Sequence, residues 1–220
     1  MNNNLKNFDK KFVSDVDTII SHNKIIPIMV EDKIENALNT VEALLKGGIT
    51  IVEVTLRTPK AFKISEAILK QFPEIKVGVG TILNKAQLVE TYAIGANFGV
   101  SPGLNKELIN LIADKYIEMP YVPGVSNPSE IMYCVQNGLH RLKCFPISSI
   151  GGSNFLKQMN SVFSNIKFCP TGGINLQNAF EFLSIPNVFA VGGSFVIPKD
   201  AIDRKDWNSI TNIAKQFSDT

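Results

Sequence analysis

The sequence has 220 residues, of which 45% are hydrophobic and 19% charged, and its formal net charge is +2. This length suits one domain with one large core, and so small a charge gives no sign of nucleic acid or an anionic membrane as a partner. The first residues are polar, no apolar run approaches the roughly 18 residues of a membrane span, and the three cysteines form no C-x-x-C pair. We therefore expect a cytoplasmic protein, a single domain over residues 1–220, with reduced thiols and no metal site.

Short apolar segments alternate with longer amphipathic segments along the whole chain. We predict strands at residues 25–30, 51–56, 77–81, 98–101, 121–123, 141–145, 167–170 and 188–191. Helices are predicted at residues 33–46, 59–71, 85–94, 106–116, 128–136, 154–162, 176–183 and 207–216, with an additional N-terminal helix at residues 10–21. Eight β/α repeats are what a closed parallel barrel requires. The order therefore favours a (β/α)8 TIM barrel, and a doubly wound open sheet is the alternative.

The second predicted strand carries charges, although a strand of a parallel barrel is buried on both faces and should be apolar. Because side chains alternate between the two faces of a strand, Glu53, Thr55 and Arg57 should point together into the barrel near its carboxyl end. This pattern indicates a carboxylate for proton transfer beside a guanidinium that binds a substrate carboxylate. The alternative is a buried Glu53–Arg57 ion pair without a chemical role, although such pairs contribute little to stability.

The sixth predicted strand also carries two charges. The same alternation points Arg141 and Lys143 into the barrel. Burial disfavours a charged lysine, and a neutral, desolvated amine is the nucleophile that Schiff-base catalysis needs. A lysine in this place could equally extend to the rim or pair with a glutamate, and the spacing of the residues does not decide between these interpretations.

The last two predicted strands each end in a pair of glycines. They read Pro-Thr-Gly-Gly at residues 170–173 and Val-Gly-Gly-Ser at residues 191–194. In barrels the loops after these strands often bind phosphate through backbone N–H groups, and glycine lets the backbone approach closely. Thr171, Gly172, Gly173 and Ser194 are therefore the predicted phosphate site, and Thr81 places another hydroxyl at the end of the third strand.

These same segments resemble the family of 2-keto-3-deoxy-6-phosphogluconate (KDPG)/4-hydroxy-2-oxoglutarate (KHG) aldolases, which are class I pyruvate aldolases. The resemblance extends over roughly residues 25–198, in order and with similar spacing. Its most specific motifs are VEVTLRT at residues 52–58, VGVGTILN at 77–84, SPGL at 101–104, VPGVS at 122–126, FCPTGGI at 168–174 and VGGS at 191–194.

The resemblance implies a role for each matching residue. Lys143 would form an imine with the substrate ketone, Glu53 would shuttle protons, and Arg57 and Thr81 would hold the carboxylate of the pyruvyl portion. The phosphate end would lie at Thr171, Gly172, Gly173 and Ser194. The substrate would be a phosphorylated keto acid, KDPG, cleaved to pyruvate and glyceraldehyde 3-phosphate, with KHG cleavage to pyruvate and glyoxylate as a second activity. No metal or cofactor is needed because the iminium polarises the substrate, and such enzymes are typically homotrimers.

Two rival functions use the same glycine pairs. One is a sugar-phosphate isomerase or epimerase on a phosphate-binding barrel, which would have no use for a nucleophilic lysine. The other is a non-catalytic sugar-phosphate-binding protein, against which the retained Glu53, Arg57 and Lys143 argue.

One segment departs from the family pattern. Such aldolases commonly read FFPAE after the lysine, whereas residues 144–148 of this chain read CFPIS. Cys144 replaces a phenylalanine, and Ile147 and Ser148 replace Ala-Glu. We expect the lysine chemistry to be retained, and selectivity between substrates that differ in hydroxyl configuration to be loosened.

Overall fold

The computed structural model describes residues 16–20, 23–114 and 116–218. The strands are β1 (Ile25–Met29), β2 (Ile51–Thr55), β3 (Lys76–Gly80), β4 (Phe98–Val100), β5 (Tyr121–Val122), β6 (Gly124–Val125), β7 (Arg141–Cys144), β8 (Lys167–Pro170) and β9 (Val191–Gly193). The α-helices are α1 (Ile34–Lys46), α2 (Ala61–Gln71), α3 (Lys85–Ala93), α4 (Lys106–Ala113), α5 (Pro128–Gln136), α6 (Gly152–Val162), α7 (Ala179–Leu183), α8 (Lys199–Asp203) and α9 (Trp207–Lys215). Two short 3₁₀ helices follow β7 and β9, at Ile147–Ser149 and Ser194–Val196.

The strands pair in parallel. One sheet has the order β5-β4-β3-β2-β1-β9 and the other the order β6-β7-β8. The amide N–H of Lys143 donates to the carbonyl of Pro123, which lies between β5 and β6. A parallel bridge between Thr171 and Gly192 links the end of β8 to β9. The structure thus shows an α/β fold whose parallel sheet forms a half-barrel.

Hydrophobic burial explains why these segments form these elements. All five residues of β1 and of β2 are buried, as expected for strands covered on both faces. The helix α1 buries an apolar stripe that includes Ala37, Val41 and Leu44. Within the described part of the chain, no helix is long and apolar enough to cross a membrane.

The predicted strands are all present. The seventh has the predicted bounds, and the others have shifted ends. The fifth is interrupted by Pro123, which has no N–H to donate to a ladder. The eighth was predicted at residues 188–191 but lies at Val191–Gly193, and Val188 forms only an isolated bridge. The helix α8 was not predicted because five residues are too few to show a periodicity. Of the predicted N-terminal helix, residues 16–20 are helical, and residues 10–15 and 21 lie outside the described residues.

Arg141, which was predicted to point into the barrel on the same face as Lys143, forms an ion pair that the sequence did not reveal. Its Nε and Nη2 atoms donate to the two carboxylate oxygens of Asp17 at 2.7 and 2.6 Å, and its guanidinium lies 5.9 Å from the ring centre of Phe189. Arg141 is the first residue of β7, so this ion pair lies at the amino end of the strand. The pair joins the described N-terminal residues to the sheet.

We expect Asp17→Asn to lower the free energy of unfolding by about 1–3 kcal/mol, because it leaves a charged group without its partner. The Arg141 side chain is only 15% exposed, so water replaces the lost carboxylate poorly. Urea unfolding followed by circular dichroism measures the change. The matched control is Asp200→Asn, which removes the exposed Asp200–Arg204 pair and should change stability by less than about 0.5 kcal/mol. Equal effects in the two variants would contradict this structural role.

Candidate active site

A buried ion pair joins β2 of one sheet to β7 of the other. Lys143 is the third residue of β7 and Glu53 the third of β2, strands that are not neighbours in either sheet. The Lys143 Nζ donates to the Glu53 Oε1 at 3.1 Å and to Oε2 at 3.4 Å, and the two side chains are only 8% and 5% exposed. Neither charge could be buried alone without a large desolvation cost. The ammonium and carboxylate therefore form one unit, within which a proton can pass directly from the amine to the carboxylate.

Gly80, the last residue of β3, makes room for this pair. A Cβ atom on Gly80 would overlap the Glu53 Oε1 and would lie 2.6 Å from the carboxyl carbon. Only a residue without a side chain leaves space for the carboxylate here. The alternating glycines of Val-Gly-Val-Gly at residues 77–80 were a signal of close approach, but the sequence does not say what approaches.

Phe145 and Cys169 border the pair. The Lys143 Nζ lies 5.8 Å from the centre of the Phe145 ring. Cys169 is the β8 residue in register with Lys143. Burial raises the pKa of the Cys169 thiol to about 12, while Lys143 lowers it and Glu53 raises it. Because the thiol is protonated at any pH below that value, it does not compete with the lysine as a nucleophile.

The two glycines after β8 lie against the segment that follows the lysine. Gly172 and Gly173 have φ values of +90° and +85°, which side-chain-bearing residues rarely adopt. A Cβ on Gly172 would lie 3.2 Å from the Phe145 ring. Thr171 is buried, and a Cβ on Gly192 would lie 2.6 Å from its hydroxyl oxygen. The Phe145 ring thus lies between Lys143 and residues 171–173, which form the predicted phosphate loop.

Arg57 is not placed as the sequence predicted. The strand β2 ends at Thr55, and the Arg57 amide donates to the Thr55 carbonyl at 2.8 Å, so Arg57 lies in a turn and is exposed. The ion-pair partner of Glu53 is Lys143, so the alternative of a buried Glu53–Arg57 ion pair is not what the structure shows. The binding role of Arg57 stays a prediction. The alternation rule failed because it holds only while the chain remains extended.

Thr81 and Ser194 each follow the carboxyl end of a strand. Thr81 has a φ of +65°, and a β-branched residue in this region stores about 1–3 kcal/mol of strain, which is a mark of functional sites. Ser194 is exposed and lines a cavity of about 770 Å³ at the ends of β1 and β9. Neither Lys143 nor Glu53 lines this cavity. The candidate active site is therefore defined by the contact between the Lys143 and Glu53 side chains.

Within residues 16–20, 23–114 and 116–218, no three His, Cys, Asp or Glu side chains come together so that they could hold a metal ion. The fold and the pair define the class of protein: a parallel α/β protein with a lysine and a glutamate buried together inside its curved sheet.

Comparison with known proteins gives the family. The family model described as KDPG and KHG aldolase matches residues 16–213. The KHG/KDPG aldolase of Escherichia coli K12 is 38% identical over 207 residues, which are 94% of this chain and 96% of that protein. The 2-dehydro-3-deoxy-phosphogluconate aldolase of Zymomonas mobilis is 40% identical over 205 residues, 93% and 95% of the two chains. The chain belongs to the KDPG and KHG aldolase family and is a lyase.

Solved structures of KDPG aldolases are also similar to this chain. The KDPG aldolase of Legionella pneumophila, with pyruvate captured as a covalent carbinolamine intermediate, is 41% identical with a TM-score of 0.87, over 90% of this chain and 96% of that one. The Zymomonas mobilis aldolase with 3-phosphoglycerate is 38% identical with a TM-score of 0.86, over 94% and 95% of the two chains.

Proposed function

We propose that this protein is a class I aldolase that cleaves KDPG to pyruvate and glyceraldehyde 3-phosphate through an imine on Lys143, and that it also cleaves KHG to pyruvate and glyoxylate. The contact that carries the proposal is the 3.1 Å hydrogen bond between the Lys143 Nζ and the Glu53 carboxylate. It provides a nucleophile and a proton acceptor in one buried unit. An isomerase or epimerase would leave the lysine without a role.

Glu53 serves each proton transfer in the proposed reaction. It first takes a proton from Lys143, so that the neutral amine attacks the C2 carbonyl of the substrate. Glu53 returns this proton to the C2 hydroxyl of the carbinolamine, which leaves as water. The resulting protonated imine draws electrons from the C3–C4 bond. Glu53 then removes the proton of the C4 hydroxyl as that bond breaks, and glyceraldehyde 3-phosphate leaves. The remaining enamine takes a proton at C3, and hydrolysis releases pyruvate and the free lysine. No step needs a metal or a cofactor.

The steady-state test is cleavage of synthetic KDPG, coupled to separate assays for pyruvate and for glyceraldehyde 3-phosphate. We expect the two products in equal amounts. Formation of an isomer or epimer without pyruvate would contradict the proposal in favour of the isomerase, and binding without any turnover would favour a non-catalytic sugar-phosphate-binding protein.

We expect Gly80→Ala to lower kcat for KDPG cleavage by about 100-fold, because its methyl group displaces the Glu53 carboxylate and small misplacements of catalytic groups cost about this much. The matched control is Gly103→Ala. A Cβ on Gly103 meets no atom within 4 Å, and Gly103 has no positive φ, so this variant should retain the parent kcat. A Gly80→Ala protein that is folded and fully active would show that catalysis does not depend on the position of the Glu53 carboxylate.

Substitutions can distinguish the residues that bind the carboxylate of the substrate from those that bind its phosphate. We propose that Arg57 and Thr81 bind the carboxylate, and that Thr171, Gly172, Gly173 and Ser194 bind the phosphate. Arg57→Leu should weaken the binding of pyruvate and of KDPG alike, by about 10- to 100-fold, because one charge-assisted contact is lost. Ser194→Leu should weaken the binding of KDPG and leave the binding of pyruvate unchanged. Ser194 is preferred to Gly172 for this test because a side chain at Gly172 would press on Phe145.

Binding of pyruvate, measured by the concentration dependence of borohydride trapping, and KM for KDPG give the two readouts. Equal losses of pyruvate and KDPG binding in Ser194→Leu would refute the phosphate assignment. An Arg57→Leu protein with parent affinity for pyruvate would refute the carboxylate assignment.

We also propose that the two sheets close into one (β/α)8 barrel, with a helix over residues 10–21 before β1, and that residues 1–220 form a single domain. The hydrogen bond at Pro123 and the Thr171–Gly192 bridge support closure, because they lie at the two junctions between the sheets. The cytoplasm is the proposed location and a homotrimer the proposed assembly. Sedimentation analysis of the purified chain tests the trimer.

A further inference from the structure

We infer that Ser148 is a further binding residue for the phosphate group of the substrate. The inference rests on the proposed function, because it concerns the phosphate end of the same site. Ser148 belongs to the segment that departs from the family pattern, and it is the middle residue of the 3₁₀ helix after β7.

Two backbone hydrogen bonds fix the position of this residue. The Ile147 amide donates to the Thr171 carbonyl at 2.9 Å, and the Ser148 amide donates to the Gly172 carbonyl at 3.2 Å. The Ile147 side chain is fully buried, so it anchors the 3₁₀ helix in the core and does not line the pocket. Ser148, one residue further, is exposed. The turn after the lysine strand is thus held along the predicted phosphate loop.

The Ser148 side chain lies directly over Gly173. A Cβ on Gly173 would lie 2.7 Å from the Ser148 Oγ, so the hydroxyl occupies the space that a side chain at residue 173 would fill. The Gly173 carbonyl accepts a hydrogen bond from the Asn178 Nδ2 at 3.0 Å, which fixes the loop from its other side. Among the described residues, the Ser148 hydroxyl has no hydrogen-bond partner, so it is free to donate to a ligand.

A phosphate monoester is the ligand that this arrangement suits. It offers three strong acceptor oxygens and a charge between −1.5 and −2 at neutral pH. A serine hydroxyl donates one hydrogen bond without adding charge, whereas an ionised glutamate, which such aldolases commonly have at this place, can only accept. The departure at residue 148 therefore adds a hydrogen-bond donor at the phosphate end of the site.

The test compares Ser148→Ala with the parent on KDPG and on its unphosphorylated analogue, 2-keto-3-deoxygluconate. We expect KM for KDPG to rise about 10-fold with kcat unchanged, the result for a lost charge-assisted contact that acts on substrate and transition state alike. Cleavage of the analogue and borohydride trapping of pyruvate should remain within about two-fold of the parent. The matched control is Ser149→Ala, an exposed serine in the same 3₁₀ helix, which should behave as the parent in every assay.

Two results for Ser148→Ala would overturn the inference. One is a KM for KDPG equal to that of the parent. The other is an equal loss on both substrates and in pyruvate trapping, which would show that Ser148 only supports the fold. Pyruvate trapping by the parent protein is measured first. If the parent forms no adduct with pyruvate, the proposed function itself is contradicted, whatever the variants show.

Discussion

Lys143→Arg is expected to abolish cleavage of KDPG and to prevent any borohydride-stable adduct with pyruvate. A guanidinium stays protonated and cannot form an imine. Arginine is the informative substitution because it keeps a positive charge beside Glu53, whereas a neutral residue would leave that carboxylate buried without a partner. Loss of activity with retained folding is therefore attributable to chemistry.

Folding of the Lys143→Arg variant is checked by circular dichroism and urea unfolding. The matched control is Lys167→Arg in β8. The Lys167 ammonium donates to the Pro186 carbonyl in an exposed position, so this substitution should leave activity unchanged. A folded Lys143→Arg protein with measurable turnover would assign the nucleophile to a different residue.

Glu53→Gln is expected to lower kcat by about 100- to 10,000-fold, the usual contribution of a general acid–base group. The amide keeps the shape of the side chain and can still accept a hydrogen bond from Lys143, but it cannot take a proton. Imine formation should slow, and exchange of the pyruvate methyl protons with deuterated water, followed by NMR, should nearly stop.

The exchange reaction separates a base from a structural partner. If Glu53 only held Lys143 in place, glutamine would preserve that contact, and the variant would exchange protons within a few-fold of the parent. Such a result would remove Glu53 from the mechanism. The Gly80→Ala variant should reproduce the slow exchange, because it displaces the same carboxylate.

The sequence could identify Lys143 and Glu53 but not their contact. A charge in an otherwise apolar strand is conspicuous because its burial is costly, and both residues were found in this way. Which charges meet depends on strands that are 90 residues apart in sequence and not neighbours in a sheet. The alternation rule gives the face of a strand and says nothing about the residue opposite. The same limit hid Asp17, 124 residues from Arg141.

Strand ends were the other source of error. The prediction extended β2 by one residue, and with it the alternating face that was expected to include Arg57. The structure ends the strand at Thr55, because a turn closes there by local hydrogen bonds that no hydrophobic pattern reveals. The departure at residues 147 and 148 was visible in the sequence. Only the structure shows that Ile147 is in the core and that the Ser148 side chain lies against Gly173. Loosened selectivity between the gluconate and galactonate epimers stays a prediction.

The most direct test of the central claim is the site of covalent attachment. The parent protein is incubated with pyruvate, reduced with borohydride, digested and analysed by mass spectrometry. We expect one reduced pyruvate per chain, carried by Lys143. An adduct on any other lysine, or no adduct at saturating pyruvate, would contradict the proposed mechanism.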